Sequence, residues 1–125
     1  MMTPAADLAS YLVRYPHEIT FGDEDPAATV FDRYHTGDYT VVNDGTPLDR
    51  DRLLDHVRPA RKRAAGVEVE VYDALVEDGR VAAHYRLTAS MRNGTVIATE
   101  IFMFGRLAED GRLSHATQVT RPVND

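Results

Sequence analysis

The chain predicts an α+β fold, with helices first and a run of long antiparallel strands after them. Three observations predict it. Apolar residues recur at helical spacing only in the first half, as at Leu8, Tyr11, Leu12 and Tyr15. The second half falls into long runs rich in β-branched and aromatic residues. Those runs are separated by Asp78-Gly79, Asn93-Gly94 and Asp110-Gly111, all strong turn signals. At 125 residues the chain fits one domain over residues 1–125.

The elements follow in order. Thr3-Pro4 reads as a helix N-cap with proline at the first helical position. Pro16 ends or kinks that helix near Tyr15. After a loop at residues 22–26, Ala27 to Tyr34 forms a short helix with Val30, Phe31 and Tyr34 inward. His35 to Asp38 reads as a turn, Tyr39 to Asn43 as a short strand and Asp44 to Pro47 as a loop. Asp49 caps a third helix with Leu53, Leu54 and Val57 on one face, bent by Pro59. Four strands follow: Gly66 to Glu77, Arg80 to Arg92, Thr95 to Leu107 and Arg112 to Val123.

The hairpin over residues 79–106 carries the functional reading. A two-residue turn at Asn93-Gly94 pairs Thr88 with Thr99, Arg86 with Ile101 and His84 with Met103. Alternation then puts His84, Arg86, Thr88, Ser90, Thr99 and Met103 on one polar face. Val81, Tyr85, Leu87, Met91, Phe102 and Phe104 take the other face, with Glu100 among them.

Bulk properties exclude several classes. A net charge of −6 argues against general nucleic-acid binding. With no cysteine there is no disulfide framework and no thiolate metal site. No apolar run approaches the roughly 20 residues that span a bilayer, and the N-terminus lacks a signal-peptide pattern, so a cytoplasmic protein is expected. His17-Glu18 and Asp23-Glu24-Asp25 match no metal-ligand spacing and read as a solvated acidic loop. Arg58, Arg61, Lys62 and Arg63 complement the dipole of the third helix. Neither a metal nor a cofactor is expected.

This order of elements, the Asn43-Asp44-Gly45 loop before the third helix and the closing Asp110-Gly111-Arg112-Leu113 turn resemble the nuclear transport factor 2-like superfamily, and within it the SnoaL-like polyketide cyclases. The resemblance implies a curved sheet shaped as a cone, with the three helices closing a central pocket. It orients the polar face inward: relatives in the ketosteroid isomerase group match pocket positions to His84, Arg86, Thr88 and Ser90, then Thr99, Ile101 and Met103, then Ala116, Gln118 and Thr120. Limonene epoxide hydrolases match their pocket arginine to Arg86 and their pocket asparagine to Asn43. Their two catalytic aspartates fall at Thr88 and Gln118, which argues against epoxide hydrolysis. The isomerase tyrosine matches Tyr15, its base Asp44 or a neighbour, and its buried acid falls at Met103. The convex face implies a homodimer.

The candidate catalytic residues are therefore Arg86, for an oxyanion or carboxylate, His84 or Asp44, to move a proton, and Tyr15, as a phenolic donor. Asn43, Thr88, Ser90, Thr99, Met103 and Gln118 would contact a ligand. Two functions remain open. One is a cofactor-free isomerase, cyclase or dehydratase acting next to a carbonyl of a small organic molecule. The other is a non-catalytic ligand-binding or dimerisation module, favoured by the missing carboxylates. The substrate and the choice of base are not legible in the sequence.

Overall fold

The computed structural model describes residues 2–22 and 24–123; Asp23, part of the expected acidic loop, lies outside them. Helices α1 (Leu8–Phe21) and α2 (Ala27–Tyr34) precede strands β1 (His35–Asn43) and β2 (Thr46–Asp49). Helix α3 (Arg50–Arg63) follows, then β3 (Ala64–Glu77), β4 (Arg80–Met91), β5 (Val96–Leu107) and β6 (Leu113–Pro122). All strands belong to one sheet in the order β2-β1-β6-β5-β4-β3. The sheet is mixed rather than purely antiparallel, because β1 runs parallel to β6, with Val41 beside Ala116 and Asn43 beside Gln118. It does not close; β2 and β3 are its edges.

The N-terminal helix differs from expectation at both ends. Asp7, not Thr3, caps it, its carboxylate accepting from the Ser10 amide at 3.0 Å. The helix then passes through Pro16 to Phe21, so His17 and Glu18 are helical. Proline removes one backbone bond, yet Leu12 and Ile19 on either side of it are both buried in the core. Arg61 of α3 secures the far end, donating from Nε to the Ile19 carbonyl at 2.9 Å. This arginine thus satisfies carbonyls at the end of α1 as well as adding charge to its own helix.

Helix α2 has the expected bounds, and Asp49 caps α3 by accepting from the Arg52 amide at 3.0 Å. The expected turn at His35 is instead the start of β1: His35 is extended, with φ −131° and ψ 146°. The expected loop at Thr46-Pro47 forms β2, an edge strand where proline loses no ladder partner.

The main correction concerns the central hairpin. Arg86 lies opposite Glu100, Leu87 opposite Thr99 and His84 opposite Phe102. The register is one residue away from that of a two-residue turn. Met91 donates to the Thr95 carbonyl at 2.8 Å and Gly94 to the Met91 carbonyl at 3.0 Å, so Arg92, Asn93 and Gly94 form a three-residue loop. Only Gly94 in it has positive φ, at 91°, the pattern of a type I turn followed by a glycine bulge. The Asn93 side chain accepts from the Thr95 amide at 3.0 Å, which holds Asn93 out of the left-handed region a I′ turn requires. At Asp78-Gly79 both residues have positive φ and the two-residue turn does form.

A slip of one residue turns every side chain of a strand over. On β4 it is Val81, Ala83 and Tyr85 that are buried in the core, beside Ile101 and Met103 of β5 and Ala116 of β6. His84, Arg86 and Thr88 point to the other face.

Candidate functional site

Between the helices and the inner sheet face lies a cavity of about 440 Å³. Helix α1 supplies Tyr11, Leu12, Tyr15 and Ile19; α2 and β1 supply Phe31, His35, Tyr39 and Val41. Strands β4 to β6 supply Tyr85, Leu87, Ala89, Met91, Ile101, Met103 and Gln118. The wall is mostly apolar, and among its described residues there is no carboxylate. Polar chemistry rests on the tyrosines, His35, Gln118 and Thr20.

His35 sits at the joint between α2 and β1, only 2% exposed. Phe31 stacks on its ring at 4.3 Å between centroids, Tyr39 lies at 4.5 Å and Tyr15 meets it edge-on at 4.7 Å. Nδ1 is 2.9 Å from the Phe31 carbonyl oxygen. A carbonyl only accepts, so Nδ1 carries the proton and donates. Nε2 is 2.7 Å from the Tyr11 hydroxyl. Burial pushes the His35 pKa down to about 4, outweighing the opposite pull of the Phe31 carbonyl and Asp32. The ring is neutral near pH 7, so Nε2 accepts and the Tyr11 O–H donates.

The remaining tyrosines differ. The hydroxyls of Tyr15, Tyr39 and Tyr85 have no hydrogen-bond partner among the described residues, yet none is a sealed, unsatisfied atom. Each is a phenol open to the cavity it lines. Burial raises all three, Tyr85 to about 12, so they are neutral donors. Tyr34 donates instead to Glu18 at 2.8 Å and does not line the cavity. At the β1–β6 end, Gln118 Nε2 donates to Asn43 Oδ1 at 2.8 Å.

Of the residues singled out in the sequence, Tyr15, Met103 and Gln118 line the cavity, and Asn43 touches it through Gln118. Thr99 shares their sheet face, opposite Leu87. His84, Arg86 and Thr88 do not; the one-residue register change puts them on the outer face. Ser90 borders a groove between α1 and β3, with His17, Phe21 and Glu68. Arg86 there stands in a cross-strand row, Glu70–Arg86–Glu100–Arg121, of alternating charge. His84 Nε2 is 2.6 Å from Glu100 Oε2, and its ring stacks on Phe102 at 4.3 Å. Arg121 Nε also donates to Glu100, at 2.8 Å. These contacts, His84 first, hold the Glu100 carboxyl below the usual range.

Asp44 is likewise not a buried base. It is exposed in a left-handed turn conformation, with φ 49°. It accepts from the hydroxyl and the amide of Thr120, which lowers its pKa rather than raising it. Tyr11, His35 and Tyr85 were missed as site residues. Tyr85 carried a signal, since parity with Met103 becomes correct once the loop is counted as three residues. His35 carried none, because its burial depends on contacts from two helices. Among the described residues no three histidines or acids group as a metal site, and no helix is long and apolar enough to cross a membrane.

No protein-family model matches the chain, and no curated protein matches it in sequence. Solved structures do match. A candidate SnoaL-like polyketide cyclase from Jannaschia sp. CCS1 is similar with a TM-score of 0.67 and 16% identity, over 93% of this chain and 84% of that one. IdmH, a candidate polyketide cyclase from Streptomyces antibioticus, is similar with a TM-score of 0.67 and 14% identity, over 94% and 91%. A protein of ketosteroid isomerase-like fold from Catenulispora acidiphila, solved in complex with trimethylamine, gives 0.62 and 11%, over 89% and 82%. At such identities the likeness speaks for the fold. The chain has the nuclear transport factor 2-like fold that SnoaL-like and ketosteroid isomerase-like proteins share.

Proposed function

We propose that the curved sheet forms a cone whose cavity binds a small, largely apolar organic molecule with a carbonyl oxygen. The protein then acts as a cofactor-free isomerase, cyclase or dehydratase of the SnoaL-like kind. One observation carries this reading: three phenols, Tyr15, Tyr39 and Tyr85, face an apolar cavity with their protons uncommitted. Donors fixed in such a place stabilise negative charge that develops on a carbonyl oxygen, because little water competes for it. The roles first given to Arg86, His84 and Asp44 pass to these phenols and to the Tyr11–His35 pair. The cyclases and the trimethylamine complex among the similar structures support a cavity that takes small molecules.

A second reading is a binding module without catalysis. The absence of any carboxylate among the described lining residues favours it, since no strong base stands ready to take a proton from carbon. We also propose a homodimer through the outer sheet face, where Leu75, Phe102, Phe104 and Val119 are exposed together.

The test is a thermal-shift screen of aromatic and alicyclic ketones, then calorimetry and NMR on the hits. Loss of affinity in Tyr15→Phe and Tyr85→Phe, with accelerated hydrogen–deuterium exchange next to the carbonyl, supports the enzyme. Binding without exchange supports the module. A screen without hits, or hits unaffected by both substitutions, overturns the assignment of the cavity.

A further inference from the structure

We infer that His35 sets the hydrogen-bond polarity of the cavity: by holding the Tyr11 proton it makes Tyr11 an acceptor, so a preferred ligand brings a hydroxyl as well as a carbonyl. The inference rests on the ligand-binding reading above and narrows it.

The argument is geometric. The Phe31 carbonyl at 2.9 Å takes the Nδ1 proton, which leaves Nε2 as a bare lone pair. The only proton available between Nε2 and the Tyr11 oxygen, 2.7 Å apart, belongs to the phenol. A phenol has one proton to give. With it committed, the Tyr11 oxygen offers a ligand only its remaining lone pair. Tyr15, stacked on Tyr11 at 5.6 Å, has no such partner and keeps its proton for the ligand, as do Tyr39 and Tyr85. One wall of the cavity therefore accepts while its neighbours donate. A pure hydrocarbon ketone satisfies the donors and leaves Tyr11 unanswered; a hydroxy-ketone satisfies both.

The surroundings keep this arrangement in one state. Facing His35 are Tyr11 and Tyr15 from α1, Phe31, Asp32 and Tyr34 from α2, Tyr39 from β1 and Arg112 before β6. Arg112 donates to the His35 backbone carbonyl at 3.2 Å and sets a positive charge near the ring. Desolvation and this arginine both disfavour an imidazolium, which would reverse the bond to Tyr11. Because it acts through Tyr11, His35 is a positioning residue.

The experiment uses three probes on one ring system: 2-naphthol, 2-methoxynaphthalene and 2-acetylnaphthalene. Wild type should bind 2-naphthol at least tenfold more tightly than the methyl ether. Tyr11→Phe should bring that preference to within twofold. His35→Phe, which frees the Tyr11 proton but leaves the oxygen's lone pairs, should narrow the preference by letting Tyr11 donate to the ether oxygen, and should raise affinity for 2-acetylnaphthalene. His35→Gln, whose amide oxygen accepts from Tyr11, should keep the preference, a rescue that a merely structural role does not predict. Nitrogen-15 NMR of the free protein should show Nδ1 protonated and Nε2 bare near pH 7, a readout independent of any variant's folding. The opposite tautomer, or naphthol and its ether binding equally to wild type, overturns the inference while leaving the cavity's function standing. Failure of all three probes to bind overturns both.

Discussion

Acid should destabilise this protein well before its carboxylates are protonated, and His35 is the reason. Its imidazole takes up a proton only near pH 4 in the folded chain, against 6.5 for the free side chain. Between those values the unfolded chain holds a proton that the folded chain does not. Unfolding stability therefore rises with pH through this window. It is fully present above about 6.5 and drains away as the pH falls toward 4. At 1.36 kcal/mol per pKa unit the whole effect is about 3 kcal/mol, a large part of the 5–15 kcal/mol typical of a domain. The shift comes mainly from desolvation of a ring enclosed by Phe31, Tyr15 and Tyr39, so it belongs to the fold and not to surface charge. Asp44, Glu100 and Asp110 are also held low, by hydrogen bonds from Thr120, from His84 and Arg121, and from Arg112. As acids they withdraw their contribution only below the ordinary carboxylate range, so the two effects separate along the pH axis. The assay is urea unfolding followed by circular dichroism at several pH values from 7 down to 4.5, with the His35 ring resonances titrated in parallel. His35→Gln, which keeps an acceptor for Tyr11 but does not titrate, should flatten the curve across that window. A wild-type stability that stays constant there, or the same slope in His35→Gln, would refute the reasoning.

Other expectations follow from the same geometry. Tyr11→Phe keeps the ring but strands His35 Nε2 as a buried acceptor, so urea unfolding should show a loss of about 1–3 kcal/mol; Tyr15→Phe breaks no bond among the described residues and should stay within about 0.5 kcal/mol. Arg86→Met should leave the affinity of any cavity ligand unchanged within about twofold by calorimetry, because β4 carries Arg86 on the outer face; a tenfold loss would mean that the register drawn here is wrong. Phe104 is 67% exposed, so Phe104→Glu should keep the fold by circular dichroism while converting a sedimenting dimer to a monomer.

Much of the molecule was legible without coordinates, for a physical reason. Helix α2, the Asp49 cap of α3 and the Asp78-Gly79 turn depend on residues close together in the chain, so local propensity and turn chemistry suffice. The order of helices and strands is legible for the same reason, and it carried the resemblance to the nuclear transport factor 2-like fold. The parity of β4 was a nearer miss. Asn93-Gly94 suits either a two-residue or a three-residue loop, and the choice falls to which face of β4 the core accepts. Val81, Ala83 and Tyr85 bury better under α1 and α2 than His84, Arg86 and Thr88 would, so burial selects the longer loop. The parallel pairing of β1 with β6 joins residues more than seventy positions apart, beyond any local signal. His35 shows the limit most clearly: nothing beside it in the chain marks it as buried. Its neutral ring, its fixed tautomer and its hold on Tyr11 exist only because α1, packing over the joint between α2 and β1, excludes water from that one point.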